Sequence, residues 1–261
     1  LKQYPDATHA ECIKQCAKHT VPITFSGSSQ WHKKALNDLL FKVQVRGMPT
    51  LFLTLTSDEV TETRMEEVDD VEEMLGSFGT NQPLTWADAP VEMTILFHKR
   101  VSNFMDMLRS SHMLGRIQYW LVRYEAQGRG SLHAHILLWL HEDDIERVEH
   151  EIIAFIPGEI IQGFARRPVG DKEGKLYDLA RRKQMHRCQP TGCQSKMYGD
   201  VCKYGFPSPL CDDNGFNKST GRYQYKRPHS GDCNVVPNHP NVLLFWGAHC
   251  NVQRVYAASW S

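Results

Sequence analysis

The chain has 261 residues, 41% of them hydrophobic and 23% charged, and its 30 lysines and arginines balance its 30 aspartates and glutamates. This composition is typical of a folded globular protein, and it excludes a disordered, collagenous or wholly basic chain. The apolar runs are strand-sized, far shorter than the roughly 18 residues of a membrane-spanning helix, so no membrane partner is expected. A chain of this length suits one domain that carries a substantial insertion.

Apolar periodicity predicts an α+β fold whose central antiparallel sheet is covered by helices on one face. Ser28 and Ser29 are typical of a helix start, and the apolar spacing that follows predicts a helix over residues 31–45. The other predicted elements are, in chain order, a strand at 50–56, helices at 64–75 and 91–108, strands at 117–127 and 132–140, a helix at 145–155, and strands at 241–246 and 251–256.

Charge is segregated along the chain. Residues 57–92 carry eleven acidic side chains and one basic one, whereas residues 163–227 carry fourteen basic and six acidic ones, interleaved with tyrosines. Basic and aromatic residues together indicate binding to single-stranded nucleic acid. The candidate DNA-binding residues are Arg129, Arg166, Arg167, Arg181, Arg182, Lys183, Lys226 and Arg227.

Periodicity decays between residues 157 and 240, where glycine, proline, cysteine and basic residues dominate. We therefore divide the chain into four parts. They are an N-terminal extension (1–27), the first part of the main domain (28–156), a Cys/His-rich basic insertion (157–240) and the final strands of the main domain (241–261).

Two histidines in one strand supply the clearest chemical signal. His133 and His135 are two residues apart, so both side chains project from one face of the strand, about 7 Å apart. A short glycine-bounded loop returns the preceding strand alongside them, which brings Glu125 or Gln127 to the same face. Two imidazoles with one carboxylate or amide form an open site that suits Mg²⁺ or Mn²⁺ acting on a phosphate.

The cysteines indicate a second metal site. The chain has eight cysteines and 13 histidines but no secretory signal at its start, and this combination favours metal binding over disulfides. The spacing of His186, Cys188, Cys193 and Cys202 predicts a closed tetrahedral Zn²⁺ site in the basic insertion. In the alternative interpretation, one of these ligands is replaced by another residue, namely Cys211, Cys233 or His229.

The residues from Tyr124 to Leu140 resemble the His-hydrophobic-His motif of HUH endonucleases, in the form found in the Rep domain of Helitron rolling-circle transposases. Segments 47–56, 202–207 and 241–255 resemble further motifs of the same family in the same order. The resemblance implies an HUH-like fold and nicking of single-stranded DNA at a transposon end. It also supports the cysteines of the predicted zinc site.

The resemblance implies a tyrosine nucleophile that leaves a 5′-phosphotyrosine and a free 3′-OH. His133 and His135 would be metal ligands, with Glu125 as the first choice for the third ligand and Gln127 as the second. In the family the nucleophile lies on a helix after the segment matched here, so we expect it beyond residue 261. Tyr256 is the one tyrosine near the end, and we interpret it as a strand residue.

The family context implies a longer polypeptide with a C-terminal helicase domain, acting in the nucleus of a eukaryotic host. Two alternatives are open. One is a rolling-circle replication initiator of viral or plasmid type, with the same chemistry. The other is a zinc-knuckle nucleic-acid-binding module that has no catalytic activity.

Overall fold

The computed structural model of the protein describes residues 28–57, 90–126, 132–162, 164–189, 193 and 201–256. The chain divides into two units, Leu1–Met48 and Pro49–Ser261. In the first unit, helix α1 (Ser29–Arg46) begins after Ser28, whose hydroxyl accepts a hydrogen bond from the backbone N–H of Trp31 at 3.0 Å. This side chain satisfies one of the free N–H groups of the first turn. The predicted helix at 31–45 is confirmed.

The second unit contains the remaining described elements. In chain order they are β1 (Leu51–Thr56), α2 (Pro90–Ser111), β2 (Ile117–Ala126), β3 (Leu132–Leu140), α3 (Glu142–Glu151), β4 (Glu159–Ile161), β5 (Phe164–Arg166), α4 (Asp171–Lys183), β6 (Gly215–Asn217), β7 (Arg222–Gln224), a 3-10 turn (Ser230–Asp232), α5 (Pro240–Trp246) and β8 (Cys250–Arg254).

A four-stranded sheet with the strand order β2-β3-β1-β8 organises this unit, and each neighbouring pair of strands is antiparallel. The predicted α+β class and the antiparallel sheet are therefore confirmed. The strands predicted at 50–56, 132–140 and 251–256 agree with β1, β3 and β8 to within two residues. The strand predicted at 117–127 agrees with β2 as far as the described residues reach. The helix predicted at 64–75 lies outside the described residues.

Alternating burial in β1 separates the two faces of the sheet. Leu51, Leu53 and Leu55 are buried, whereas the residues between them are only half-buried. The buried leucines belong to one core cluster with side chains from α2 and α5, including Phe104 and Trp246. Helices therefore cover one face of the sheet, and the other face carries the half-buried positions of β1.

The segment predicted as a strand at 241–246 is helix α5, so this prediction was wrong. Pro240 occupies the first turn, where a missing N–H costs nothing, and Gly247 ends the helix in the left-handed region at φ 66°. Val242, Leu243 and Trp246 are buried, which is helical spacing. A short, continuous apolar run does not distinguish a buried strand from a buried helix by its period.

Two other segments differ from the expectation, namely helix α3 and residues 157–240. Helix α3 spans Glu142–Glu151 and not 145–155, because three of its acidic residues occupy the first turn, where they interact favourably with the positive end of the helix dipole. The backbone of Ile152 is already extended, and Ile153 pairs with Asn238. Within 157–240, where periodicity decays, the chain forms helix α4 and two short hairpins, β4–β5 and β6–β7.

Candidate metal centres and groove

The face of the sheet that helices leave open forms the floor of a groove of about 1250 Å³. Its floor comes from β1, β3 and β8, and its walls include residues 204–206 and the β6–β7 hairpin. Thr54, at the centre of β1, pairs with His135 of β3 on one side and with Asn251 of β8 on the other. The groove therefore crosses the sheet from β3 to β8.

Both predicted histidines lie in the floor of this groove. The strand register places Thr56 opposite His133 and Thr54 opposite His135. On the other side of β3, Glu125 of β2 is paired with His133. The structure thus places the two histidines and Glu125 on one face of the sheet, as the alternation of side chains along the strands predicts.

The His135 ring is held by three neighbours. Its Nδ1 lies 3.1 Å from the hydroxyl of Thr54, and its Nε2 lies 3.1 Å from a carboxylate oxygen of Glu125. The ring also stacks on Phe52, with 5.5 Å between ring centroids and 9° between ring planes. These contacts fix the orientation of the imidazole against the floor of the groove.

Glu125 offers the carboxylate oxygen that Mg²⁺ and Mn²⁺ prefer, whereas the two histidines offer imidazole nitrogens, which are more typical ligands of Zn²⁺, Fe²⁺ and Cu²⁺. However, His133, His135 and Glu125 do not form a convergent group of ligand atoms in the part of the chain that the structure describes. His133 is buried, and Glu125 instead contacts His135 directly. Gln127, the alternative third ligand, lies outside the described residues.

A convergent group of potential metal ligands, which we call the cysteine cluster, is present within the predicted basic insertion. Its members His186, Cys188, Cys193 and Cys202 place their ligand atoms within 4.8 Å of one another. The Nε2 atom of His186 lies 3.4 Å from the sulfur of Cys193 and 3.3 Å from that of Cys202. Tetrahedral zinc with two such ligands separates them by about 3.6 to 3.8 Å, so the cysteine cluster can hold a metal such as zinc.

Electrostatics act differently on the members of the cysteine cluster. Burial and hydrogen bonds with the other two thiols raise the pKa of Cys188 to about 11. Burial would also raise the pKa of Cys202, but hydrogen bonds from the backbone of Phe206 and Tyr204 bring it below its usual value. Burial lowers the pKa of His186, which keeps its imidazole neutral. A metal ion requires a neutral imidazole and deprotonated thiols, so its binding would release protons from the cysteines, Cys188 included.

The cysteine cluster is adjacent to the groove. His186 and Phe206 both line it, and their rings stack with 4.4 Å between centroids. A further histidine, His249, also lines the groove, and its Nδ1 lies 2.7 Å from the carbonyl oxygen of Lys183. That contact leaves its Nε2 as the hydrogen-bond acceptor. We did not predict His249 as a site residue, because it belongs to no cluster of metal-ligating or catalytic residue types along the chain.

Basic residues line the groove, although most of them are not the predicted ones. The described residues of the lining include Arg222, Arg227 and Arg254 but no aspartate or glutamate. Arg227 was predicted; it is 5% exposed, and its guanidinium donates to backbone carbonyls of Tyr225 and Val235. The other predicted residues within the described part of the chain do not line the groove, namely Arg166, Arg167, Arg181, Arg182, Lys183 and Lys226.

Arg167, which is a predicted DNA contact, forms contacts within the protein. Its guanidinium lies 3.0 Å from the carboxylate of Asp178, and it packs against the backbone of Gly174 in α4. Arg129 lies outside the described residues. The sequence did not single out Arg222 and Arg254, because neither belongs to a basic cluster along the chain.

Tyr256 follows β8, and its phenol is held within the protein. Its hydroxyl donates to a carboxylate oxygen of Glu149 at 3.0 Å, and its ring stacks on Tyr223. Burial and the nearby carboxylate raise the pKa of Tyr256. This environment keeps the phenol protonated.

The family described as "Helitron helicase-like domain at N-terminus" matches residues 3–138, which is more than half of the chain. The chain therefore belongs to this family, and the predicted resemblance to Helitron transposases is confirmed. The family places the protein in the context of a helicase. No curated protein and no solved structure matches the chain. None of the described helices has the length and apolarity needed to cross a membrane.

Proposed function

We propose that the chain is the HUH-type nuclease module of a Helitron-like transposase, which nicks single-stranded DNA at a transposon end and transfers the strand. The observation that carries this proposal is the position of His133 and His135. Both lie in the floor of a groove whose described lining includes three arginines and no carboxylate. Arg222 is exposed in this lining, so it can contact a phosphate backbone that lies over the two imidazoles.

The proposed chemistry divides into two steps. A tyrosine hydroxyl gives up its proton and its oxygen attacks the phosphorus, the bond to the 3′ oxygen breaks, and the departing 3′ oxygen takes up a proton. The 5′-phosphotyrosine ester conserves the bond energy, so a second 3′-OH can later displace the tyrosine and rejoin the strand. Mg²⁺ or Mn²⁺ held by His133, His135 and Glu125, or by Gln127 in place of Glu125, would supply positive charge at the phosphate. Phe52 and Thr54 hold the His135 ring in position.

Replacing either His133 or His135 with alanine is expected to lower metal-dependent nicking by at least about 100-fold, because charge stabilisation by a metal is worth several kcal/mol. The assay follows cleavage of an end-labelled single strand in Mg²⁺ or Mn²⁺. It uses a polypeptide that continues past Ser261, where the resemblance places the tyrosine. His150→Ala is the matched control, since His150 is exposed on α3 and contacts the backbone of Glu146. Unchanged cleavage in both histidine variants would refute the nuclease.

Binding of single-stranded DNA is expected to weaken steeply with salt, with a slope of about −0.7 in log K against log[salt] for each phosphate contacted. Arg222→Ala should reduce that slope by about one contact, since Arg222 is exposed and lines the groove. Arg182→Ala is the comparison, because Arg182 is exposed on α4 outside the groove. A flat salt response, or an effect of Arg182 alone, would mean that DNA does not lie in the groove.

A second candidate function is a zinc-knuckle nucleic-acid-binding module without catalytic activity. The observation that favours it is the convergence of the cysteine cluster, in contrast to His133, His135 and Glu125. The histidine variants separate the two functions, since this module predicts salt-dependent binding without cleavage. A viral or plasmid-type replication initiator would share the nicking chemistry, but membership of the Helitron family favours the transposase.

We further propose Zn²⁺ as the ion of the cysteine cluster, because three thiolates and one imidazole suit a tetrahedral structural site. A helicase domain in the same polypeptide and a nuclear location in a eukaryotic host are also proposals, which rest on the family. Imaging of a fluorescent fusion of the parent polypeptide tests the location. Exclusion of that fusion from the nucleus would contradict it.

A further inference from the structure

An aromatic group lies on the wall of the groove, separate from the histidines of the floor and from the cysteine cluster. Phe216 and Tyr223 are opposite each other in the β6–β7 hairpin. Tyr256 stacks on both rings, with centroid distances of 5.3 Å to Phe216 and 5.0 Å to Tyr223. All three residues line the groove, and the proposed nicking chemistry uses none of them.

Polar contacts hold these rings in fixed orientations. The hydroxyls of Tyr223 and Tyr256 both donate to the carboxylate of Glu149. Arg254 also donates to Glu149, at 3.3 Å, and its guanidinium lies 5.0 Å from the centre of the Tyr256 ring. Since the rings are already ordered, the protein loses little conformational entropy when a ligand stacks on them.

Phe216 is the member of this group that a ligand can reach. It is 38% exposed, on a short polar hairpin. Lys218 and Arg222, on the same hairpin, are also exposed, and Arg222 lines the groove. An exposed aromatic ring beside cationic side chains is the pattern by which proteins bind unpaired bases together with the neighbouring phosphates. Paired bases are already stacked within a duplex, so the pattern favours a single strand.

We propose that Phe216 forms a stacking subsite for one nucleobase of single-stranded DNA, with Arg222 contacting a phosphate beside that base. This proposal rests on the proposed function, in that it requires single-stranded DNA in the groove. It adds a contact that tolerates any base, because every base presents a π face. The subsite would hold the strand at the hairpin while the phosphate to be cut lies over the floor.

The test measures binding of the full chain to short single strands that carry 2-aminopurine at successive positions. Phe216→Ala is expected to weaken binding by about 5- to 150-fold, the range found when a stacked base loses its aromatic partner. In the wild-type protein, 2-aminopurine should be quenched at one position of the strand, and this quenching should be lost in the variant. An abasic site at that position should remove the difference between the two proteins.

Two further variants keep the test independent of folding. Phe216→Leu retains an apolar contact with Tyr256 but cannot stack on a base, so it should bind as weakly as Phe216→Ala; Phe216→Trp should retain affinity and quenching. Phe164→Ala is the matched control, because Phe164 is 64% exposed on the β4–β5 hairpin and does not line the groove.

The outcomes distinguish this subsite from the proposed function. If the wild-type chain binds single strands but Phe216→Leu binds equally well with the same quenching, the stacking subsite is refuted and the DNA-binding groove stands. If the wild-type chain does not bind single strands at all, the proposed function itself fails. If Phe216→Leu weakens binding to a duplex as much as to a single strand, the hairpin contacts DNA without stacking on a base, which also refutes the subsite.

Discussion

Cys202→Ser is expected to abolish stoichiometric zinc binding and to unfold the segment around the cysteine cluster. Structural zinc sites of this kind contribute about 10–16 kcal/mol of apparent binding free energy in small peptides, and the variant would lack one of the four ligands of a closed tetrahedral site. The segment has little apolar material to replace the ion, although Cys193 and Cys202 themselves are buried. Metal content by mass spectrometry and limited proteolysis between residues 186 and 206 measure the two effects.

Two other cysteines serve as controls in this experiment. Cys211 and Cys233 were alternative ligands on sequence grounds, but neither belongs to the converging group among the described residues. Cys211 instead donates to the carbonyl of Asp213. Serine variants of both should retain one zinc per chain. Normal zinc content in Cys202→Ser, or its loss in Cys211→Ser or Cys233→Ser, would show that the ligand set is wrong.

Trp246→Ala is expected to lower the free energy of unfolding by about 3–5 kcal/mol, as other deletions of buried aromatic side chains do. Trp246 is 2% exposed and packs edge-on against Phe97 and Phe104. Its indole N–H donates to the carbonyl of Thr56 at 3.0 Å, and Arg100 lies over its ring. Removal of the ring therefore leaves a cavity and an unpaired carbonyl. Denaturant unfolding followed by circular dichroism measures the loss.

The neighbouring residue provides the matched control. Phe245 belongs to the same helix but is 49% exposed, so Phe245→Ala should cost less than about 1 kcal/mol. Similar losses in both variants would contradict the assignment of Trp246 to the core. Because Trp246 holds the end of β1, where Thr56 is paired with His133, the alanine variant should also disturb the floor of the groove.

The sequence predicts the parts of the fold whose pattern is local. Alternation along β1 and β3 identifies the strands and places His133 and His135 on one face, because side-chain direction follows directly from strand geometry. The spacing of the cysteines likewise predicts the group that the structure brings together. In both cases the decisive residues lie within a few positions of one another, or within one short stretch of sequence.

Other features depend on contacts between distant segments. The run at 242–246 is apolar throughout, so its period does not identify a helix, and its packing against α2 and α4 decides the conformation. Helix α4 did carry a local signal, since Asp171 and Glu173 occupy its first turn and Arg181, Arg182 and Lys183 its last. We considered those basic residues only as DNA contacts, a role that stays a prediction. The lining of the groove combines residues from β1, the insertion and β8, which no local pattern can identify.

The position of β1 between β3 and β8 has a consequence for how the chain is made. Thr54 pairs with both His135 and Asn251, and at about 5–20 residues per second a ribosome delivers the second partner some 10–40 s after Thr54 itself. During that interval β1 can join the β2–β3 hairpin while its other edge stays open to unwanted pairing. The last strand to arrive closes that edge, so a nascent chain acquires its groove only at the end of synthesis of this region.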